Sequence, residues 1–556
     1  MVSAYHGNLP TTSRDAWEGE IVIMQTTLQP WADEFGEIIF EYDIPRLGRR
    51  VDVVLLLRGI IFCLEFKVGE SKMLQNDIEQ VLDYALDLKN FHKLSWDRTI
   101  VPILVPTRYS SSSSEFFPSV YDDAIYNPLV VGANGLKSLI SKVLDHAGAY
   151  SPDYSLDADW IISPYAPTPT IVEAARTLYE NHSVDDITRH DGDTDATISY
   201  ILEVIDRSRK NSEKSICFVT GVPGAGKTLV GLDIAVKQSY QGGKDIVEDE
   251  KAVYLSGNGP LVAVLTEALA LDNYAKCRER GEKKNISDSR REVKEFIQII
   301  HRYRDNMLEK IENPIIGGEL KIDPNAVFSE SLHLSVSKRS FRAETFSAFV
   351  HSLLSFEPDA AGLYAEIKDR YPIVLTRDME KARAWLKRQA RGNQRTGVLV
   401  TKTAARFKPL AVNILEQSDE NAVHWFLEDK SDVRSSNFLE DAATEIQVQG
   451  LELDYSCVLW DADMRYENGN WRYFAFNGKT AWKEVNDSSE SGTERRKYML
   501  NAYRVLLTRA RMGMVICVPA GNPKLTVGGF PEDPTRLPSF YDSTYNYLKS
   551  LGISEI

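Results

Sequence analysis

Two groups of residues in this sequence have the types and spacing to act on phosphate. Asp52 is followed, beyond a turn signal at Arg58 and Gly59, by Glu65 and Lys67 in the run Glu-Phe-Lys. Further on, Gly221, Val222, Pro223, Gly224, Ala225, Gly226, Lys227 and Thr228 spell Gly-x-x-x-x-Gly-Lys-Thr. The first group offers carboxylate oxygens and one cation, which suits magnesium-assisted hydrolysis of a phosphodiester. The second is a glycine loop whose backbone N–H groups face the phosphates of ATP. Lys227 is placed to reach the β and γ phosphates, and Thr228 to ligate Mg2+.

The elements that must hold the first group are a β-hairpin and a helix. Residues two apart on a strand share a face, so Glu65 and Lys67 point together while Leu64 and Phe66 point away. Pairing that is symmetric about Arg58 and Gly59 sets Asp52 directly across from Glu65. Carboxylates opposed at ~5 Å repel unless a cation lies between them, which makes Asp52 and Glu65 the expected metal ligands. Lys67 would orient a water and stabilise charge developing on phosphate. Glu20 can add a carboxylate from an upstream helix, a place Glu18 would fill equally well. Downstream, "QNDIEQVLDYALDLKNFH" reads as a helix with Ile78, Val81, Leu82 and Ala85 as its apolar stripe. Gln80 and Tyr84, four apart, lie together off that stripe. A plain ion pair between Glu65 and Lys67 on an exposed edge strand uses the same two residues; the hairpin and the helix after it favour the metal site. The pattern resembles the PD-(D/E)xK nuclease superfamily. The resemblance implies Asp52, Glu65 and Lys67 as catalytic residues, with Gln80 in support.

The glycine loop has "CFVT" before it as a strand and "LVGLDIAV" after it as a helix, the context that phosphate binding requires. "AVYLSGNGPLVAVLTEAL" is a strand, a Gly/Asn loop and a helix, a form suited to holding a nucleic-acid backbone. "LHLSVSKRSFR" carries Arg339, "QGLELDYSCVLWDAD" carries Gly450 and Glu452, and "NAYRVLLTRARMGMVICVP" carries Arg509. These stretches resemble motifs Ia, IV, V and VI of superfamily 1 helicases. The resemblance implies two RecA-like domains clamping ATP, with Arg339 and Arg509 on the γ phosphate and Glu452 near the ribose. Arg342 and Arg511 read instead as surface ion pairs. The stretches "PTPTIVEAARTLYENHSV", "LSVSKRSFRAE", "YPIVLTRDMEKARAWLKRQARG" and "DVRSSNFLEDAATEIQVQGLELD" narrow the likeness to the schlafen-group-3-like DNA/RNA helicase domain, from about Pro167 to the C-terminus. That implies DNA as partner, RNA as the alternative, and by analogy a place in DNA processing or anti-phage defence.

One part is missing from the pattern. A helicase needs an apolar strand ending in Asp-Glu, the Walker B strand, to hold magnesium and polarise water. "KDIVEDE", ending at Glu250, precedes motif Ia and has too short an apolar run. "CVLWDAD" ends a strand in Asp461 and Asp463 but follows "QGLELD" directly, which assigns it to the second RecA-like domain. The sequence therefore lacks the carboxylate strand, with a discontinuity near Asn313 to Gly318. Nucleotide binding should survive this, whereas hydrolysis should be severely slowed.

Composition frames these sites. At 556 residues the chain exceeds one hydrophobic core. The expected class is α/β: a nuclease-like domain over 1–150, a linker over 151–175, and two RecA-like domains over 176–335 and 336–556. No apolar run spans a bilayer and no signal peptide is evident, so the expected location is the cytoplasm, with no membrane partner. Cys63, Cys217, Cys277, Cys457 and Cys517 form no Cys-x-x-Cys pair and read as small buried hydrophobes. A net charge of -15 excludes coating of nucleic acid by bulk attraction, so binding must come from a local site. A nucleotide-gated nucleic-acid-binding module, in which neither centre turns over, is the alternative function.

Overall fold

The computed structural model describes residues 11–34, 36–44, 49–110, 123–147, 157–161, 163, 171–172, 175–176, 192–221, 226–239, 252–279, 283–299, 327, 329–334, 344–404, 406–476, 481–486 and 489–556. The chain divides into two units, Met1–Ala166 and Pro167–Ile556. Both mix helices with sheets that contain parallel strands, as the expected α/β class requires.

The first unit is built on a five-stranded sheet in the order β1-β2-β3-β4-β5. Its elements are α1 (Thr11–Leu28), β1 (Gly36–Ile44), β2 (Arg49–Leu57), β3 (Ile60–Lys67), α2 (Gln75–Phe91), β4 (Ile100–Pro106), β5 (Leu129–Val130) and α3 (Leu136–Ala147). Strands β1, β2 and β3 are antiparallel, while β3, β4 and β5 run parallel. The β2–β3 turn places Arg58 at φ 51° and Gly59 at φ 76°, both in the left-handed region that a two-residue hairpin needs to match strand twist. Nearly all of β3 and β4 is buried, as expected for strands covered on both faces. On one face Val53, Leu55, Phe62 and Leu64 pack with Leu139, Ile140 and Val143 of α3. On the other, Val54, Leu56, Ile61 and Cys63 pack with Tyr84, Ala85, Leu88 and Phe91 of α2. Burial of each large apolar side chain is worth about 1.5–3 kcal/mol. Asp52 and Glu65 share the parity of the second set, so the α2 face is the one that carries them.

In the second unit, β6 (Thr220–Gly221) pairs in parallel with β9 (His333–Leu334), and β7 (Tyr254–Ser256) with β8 (Ile297–Ile299). Helices α4 (Gly192–Asn211), α5 (Lys227–Ser239), α6 (Gly259–Glu279) and α7 (Ile286–Phe296) surround these strands. The strand read over "CFVT" is shorter than expected. Only Thr220 and Gly221 have a ladder partner, and Ile216 and Phe218 are 78% and 59% exposed. The remainder of the unit is dominated by a seven-stranded sheet, β12-β13-β11-β14-β18-β10-β19, parallel throughout. Its strands are β10 (Ile373–Thr376), β11 (Thr396–Val400), β12 (Asn413–Ile414), β13 (Asp441–Thr444), β14 (Leu453–Leu459), β18 (Ala510–Cys517) and β19 (Ser554–Glu555). Helices α8 (Asp419–Leu427) and α9 (Glu490–Leu507) serve as connections. A small antiparallel sheet, β15 (Met464–Glu467), β16 (Asn470–Phe476) and β17 (Trp482–Glu484), is inserted between β14 and α9. Among the described residues no helix is long and apolar enough to cross a membrane.

Candidate functional site

The hairpin brings the N-terminal group together. Pairing runs from Leu57–Ile60 out to Val53–Leu64, so the next pair in register is Asp52 with Glu65. Asp52 Oδ2 accepts a hydrogen bond from Phe66 N at 2.7 Å, which fixes its carboxylate against β3. Glu65 is 4% exposed. Its Oε1 accepts from Lys67 Nζ at 2.9 Å and from Gln80 Nε2 at 3.0 Å. Its Oε2 is buried with no N–H or hydroxyl donor beside it, and the Glu65 and Asp52 carboxyls hydrogen-bond to each other once one of them carries a proton. Gln80 holds the centre of the network: its Oε1 accepts from Lys67 Nζ at 3.2 Å, and its Nε2 also donates to Tyr84 Oη at 2.6 Å. The four-residue spacing from Gln80 to Tyr84 on α2 makes that contact possible.

The electrostatics follow from burial. Removal from water pushes Glu65 up to about 7, with the neighbouring Asp52 charge adding to the rise. Burial raises Asp52 as well, against the Phe66 hydrogen bond and Lys67, which pull it down. For Lys67 burial disfavours the ammonium, but the hydrogen bond it donates to Glu65 and the charges of Glu65, Asp77 and Asp52 outweigh it and raise its pKa. Of the two upstream glutamates, Glu18 is exposed and Glu20 is 5% exposed. Glu20 is pushed up to about 8 by burial and then by the charges of Asp52, Glu41 and Glu65, while Arg50 opposes the shift.

Three neighbours escaped sequence reasoning. Glu41 sits between Phe40–Val53 and Tyr42–Val51 in the β1–β2 register, so it faces Asp52 from the other side. Its φ of 54° interrupts an otherwise extended strand, and it is ion-paired with Arg50. Asp77, in the first turn of α2, lies 3.5 Å from Lys67 Nζ. No motif marks these residues; only the strand register and the helix start bring them in. Among the described residues no three His, Cys, Asp or Glu side chains are already gathered at metal-holding distance. The buried Glu65 Oε2, beside Asp52 and without an N–H or hydroxyl donor, fits a hard divalent cation, which takes carboxylate oxygens and keeps several waters.

At the second site, Gly221 ends β6 and Gly226 has φ 88°, a conformation open to glycine. Lys227 and Thr228 open α5, and Val230 N donates to Gly226 O at 2.9 Å. The loop thus leads directly into a helix N-terminus, the geometry that favours phosphate. Gly224 and Ala225, with Val222 and Pro223, lie outside the described residues. Arg339 and Arg342, the "KDIVEDE" segment and the discontinuity at Asn313 to Gly318 also lie outside them.

The motif Ia and motif V segments meet. Asn258 Nδ2 donates to Gln449 O at 2.5 Å, and Gly450, at φ 85°, lies against Leu261 of α6. Glu452 is half-buried two residues on. Arg509 is 6% exposed, and its guanidinium donates to Val505 O at 3.1 Å, Val448 O at 3.3 Å and Leu451 O at 3.4 Å. Its side chain therefore grips the motif V segment. Arg511, read as a surface ion pair, is instead 5% exposed and lies 3.7 Å from Asp454, because its strand β18 is central in the sheet. Asp461 and Asp463 are buried beyond the end of β14. Asp463 accepts from Thr401 Oγ1 at 2.5 Å, Thr403 Oγ1 at 2.6 Å and Tyr503 Oη at 2.6 Å, and Asp461 accepts from Tyr541 Oη at 3.2 Å. These carboxylates are committed to tying α9 and neighbouring loops to the seven-stranded sheet.

The family model described as Schlafen group 3, DNA/RNA helicase domain matches residues 214–316 and 318–520. The two stretches meet at residue 317, inside the interval to which the sequence assigns the discontinuity. Among curated proteins none matches the chain.

Proposed function

Because the chain belongs to the family of the Schlafen group 3 DNA/RNA helicase domain, which matches more than half of it, we propose that it is a nuclease–helicase fusion: a magnesium-dependent nuclease in residues 1–150 joined to an ATP-binding, superfamily 1-like motor that acts on DNA. The family carries a nucleic-acid-related, ATPase-type function. The observation that supports the nuclease is the Asp52–Glu65–Lys67–Gln80 cluster, in which the buried Glu65 Oε2 has no N–H or hydroxyl donor. Asp52 and Glu65 would hold Mg2+, which when bound supplies an acidified water and neutralises phosphate charge. Lys67, held by Glu65, Gln80 and Asp77, keeps its ammonium charged and aimed at the same face. It orients a nucleophilic water and stabilises the extra charge on the phosphoryl oxygens. Glu20 closes the site from α1.

On the motor side, Gly221, Gly224, Ala225, Gly226, Lys227 and Thr228 would cradle ATP, with Thr228 on its magnesium. Arg339 and Glu452 would complete the pocket as the family pattern implies, and Arg509 would reach the γ phosphate only by leaving the Val505, Val448 and Leu451 carbonyls it now holds. Two RecA-like domains, 176–335 and 336–556, would carry these groups. A role in DNA processing or anti-phage defence is the setting this layout suggests. The lack of an apolar strand ending in Asp-Glu between the glycine loop and Arg339 supports a second reading, a nucleotide-gated nucleic-acid binder whose motor does not turn over.

The test is cleavage of a mixed-sequence DNA substrate with Mg2+. Lys67→Ala should abolish cleavage while nucleotide binding persists; cleavage that survives removes the nuclease assignment. Lys227→Ala should abolish nucleotide binding, and ATP hydrolysis measured with and without single-stranded DNA separates a motor, which is stimulated, from a binder, which is not.

A further inference from the structure

An apolar protrusion and a cleft of the second unit belong to neither of the sites described above. Beyond β18, residues 524–532 form a short hairpin. Leu525 bridges Pro531 in antiparallel fashion, Glu532 N donates to Lys524 O at 2.8 Å, and Thr526 N donates to Phe530 O at 2.7 Å. The stem is anchored to the body of the unit: Asn522 N donates to Arg536 O at 2.6 Å, Arg406 Nη2 to Asp533 Oδ2 at 3.1 Å, and Trp482 Nε1 to Thr535 O at 2.8 Å. The tip stands in solvent. Leu525 and Phe530 are 65% and 74% exposed and Val527 is fully exposed, and the cross-strand bonds hold all three within one tight turn. Large apolar side chains held in order on a protrusion mark a surface that meets a partner.

The same unit holds a cleft of about 730 Å3, within the ~300–1,000 Å3 that binding clefts occupy. Val262 of α6, Ile299 of β8 and Val423 of α8 give it an apolar lining. Helix α6 packs on both α7 and α8, so these two helices flank the cleft. Their charges are opposite. Arg291 and Lys294 are exposed on α7, whereas Asp419 and Glu420 are exposed on α8. The hairpin carries the matching pair, with Lys524 exposed on one strand and Glu532 exposed on the other. With the tip in such a cleft, Glu532 meets the basic wall and Lys524 the acidic one, a complementarity that sets register as well as attraction. Lys524 is balanced by Glu532, which leaves the tip no net positive charge for phosphate. The tip is exposed in the single chain, so it does not fill its own cleft. We infer that the hairpin of one copy docks in the cleft of a second copy of this chain, with Val527 and Phe530 entering the apolar lining. Such a contact joins two different surfaces, so two copies can make it reciprocally or a row of copies can make it head to tail.

The experiment is sedimentation of the full chain over about 1–100 µM, without nucleotide or DNA. The unsubstituted chain should associate as its concentration rises. The hairpin variant Val527→Ser, Phe530→Ser and the cleft variant Arg291→Glu, Lys294→Glu should each weaken association at least about tenfold. All four positions are exposed, so folding is preserved. Mixed together, the two variants should associate more tightly than either alone, because one keeps the cleft and the other keeps the hairpin. Adding Glu532→Lys to the cleft variant should recover association by restoring opposite charge. A single copy at every concentration overturns the inference, as does association that the hairpin variant leaves unchanged. Mixed variants that stay apart would show that hairpin and cleft serve different contacts and contradict it too. Weaker binding of single-stranded DNA by the hairpin variant, with association unaltered, would assign the tip to nucleic acid instead.

Discussion

Gln80 Nε2 lies 3.0 Å from Glu65 Oε1, and through this bond helix α2 sets the orientation of a carboxylate on strand β3. The same amide touches Lys67 through its oxygen and Tyr84 through its nitrogen. Gln80 therefore positions both members of the Glu-x-Lys pair. Groups in such supporting roles typically cost about 10–100-fold when removed. Gln80→Leu should lower kcat for cleavage by that factor, with KM little changed, in a steady-state assay at fixed Mg2+.

The buried carboxylates make the N-terminal unit sensitive to pH. Glu20 titrates at about 8 in the fold against an ordinary value of 4.5, so the folded state holds its proton more tightly than the unfolded state. Stability contributed by this group is present below about pH 4.5 and is lost as pH rises toward 8. Glu65 acts in the same direction with a value of about 7, and Glu41, Asp52 and Arg50 face the same cluster. In metal-free buffer, thermal unfolding should show Glu20→Gln stabilising the unit relative to the unsubstituted chain at pH 8 and leaving it unchanged at pH 4. An equal effect at both values would contradict the assignment of this titration to Glu20.

Where the two motif segments meet, Gly450 is the sensitive position. A Cβ there would come 3.0 Å from the Leu261 side chain, and φ 85° disfavours any L side chain. Gly450→Ala should cost about 1–3 kcal/mol, read from urea unfolding of the full chain. A cost near zero would show that the motif V segment can move away from α6.

Much of this was legible in the sequence, for reasons that can be named. Counting outward from Arg58 and Gly59 gave the register that puts Asp52 beside Glu65, because a two-residue turn leaves little freedom. The helical repeat placed Gln80 beside Tyr84. The glycine loop announced the start of α5. Glu41 was not legible, since its approach to Asp52 depends on the β1–β2 register and on a positive φ that no local signal requires. Arg511 was misjudged as a surface residue because a charged side chain gives no sign that its strand is central, with β14 and β10 on either side. The partners of Arg509 were equally hidden, as main-chain carbonyls leave no trace in a motif.

The most direct measurement is uptake of Mn2+ by the nucleotide-free full chain, followed by the electron paramagnetic resonance of the free ion. A cation site formed by Asp52 and Glu65 predicts saturable binding that disappears in the double variant Asp52→Asn, Glu65→Gln. Binding by that variant with the same affinity and stoichiometry as the unsubstituted chain would contradict it.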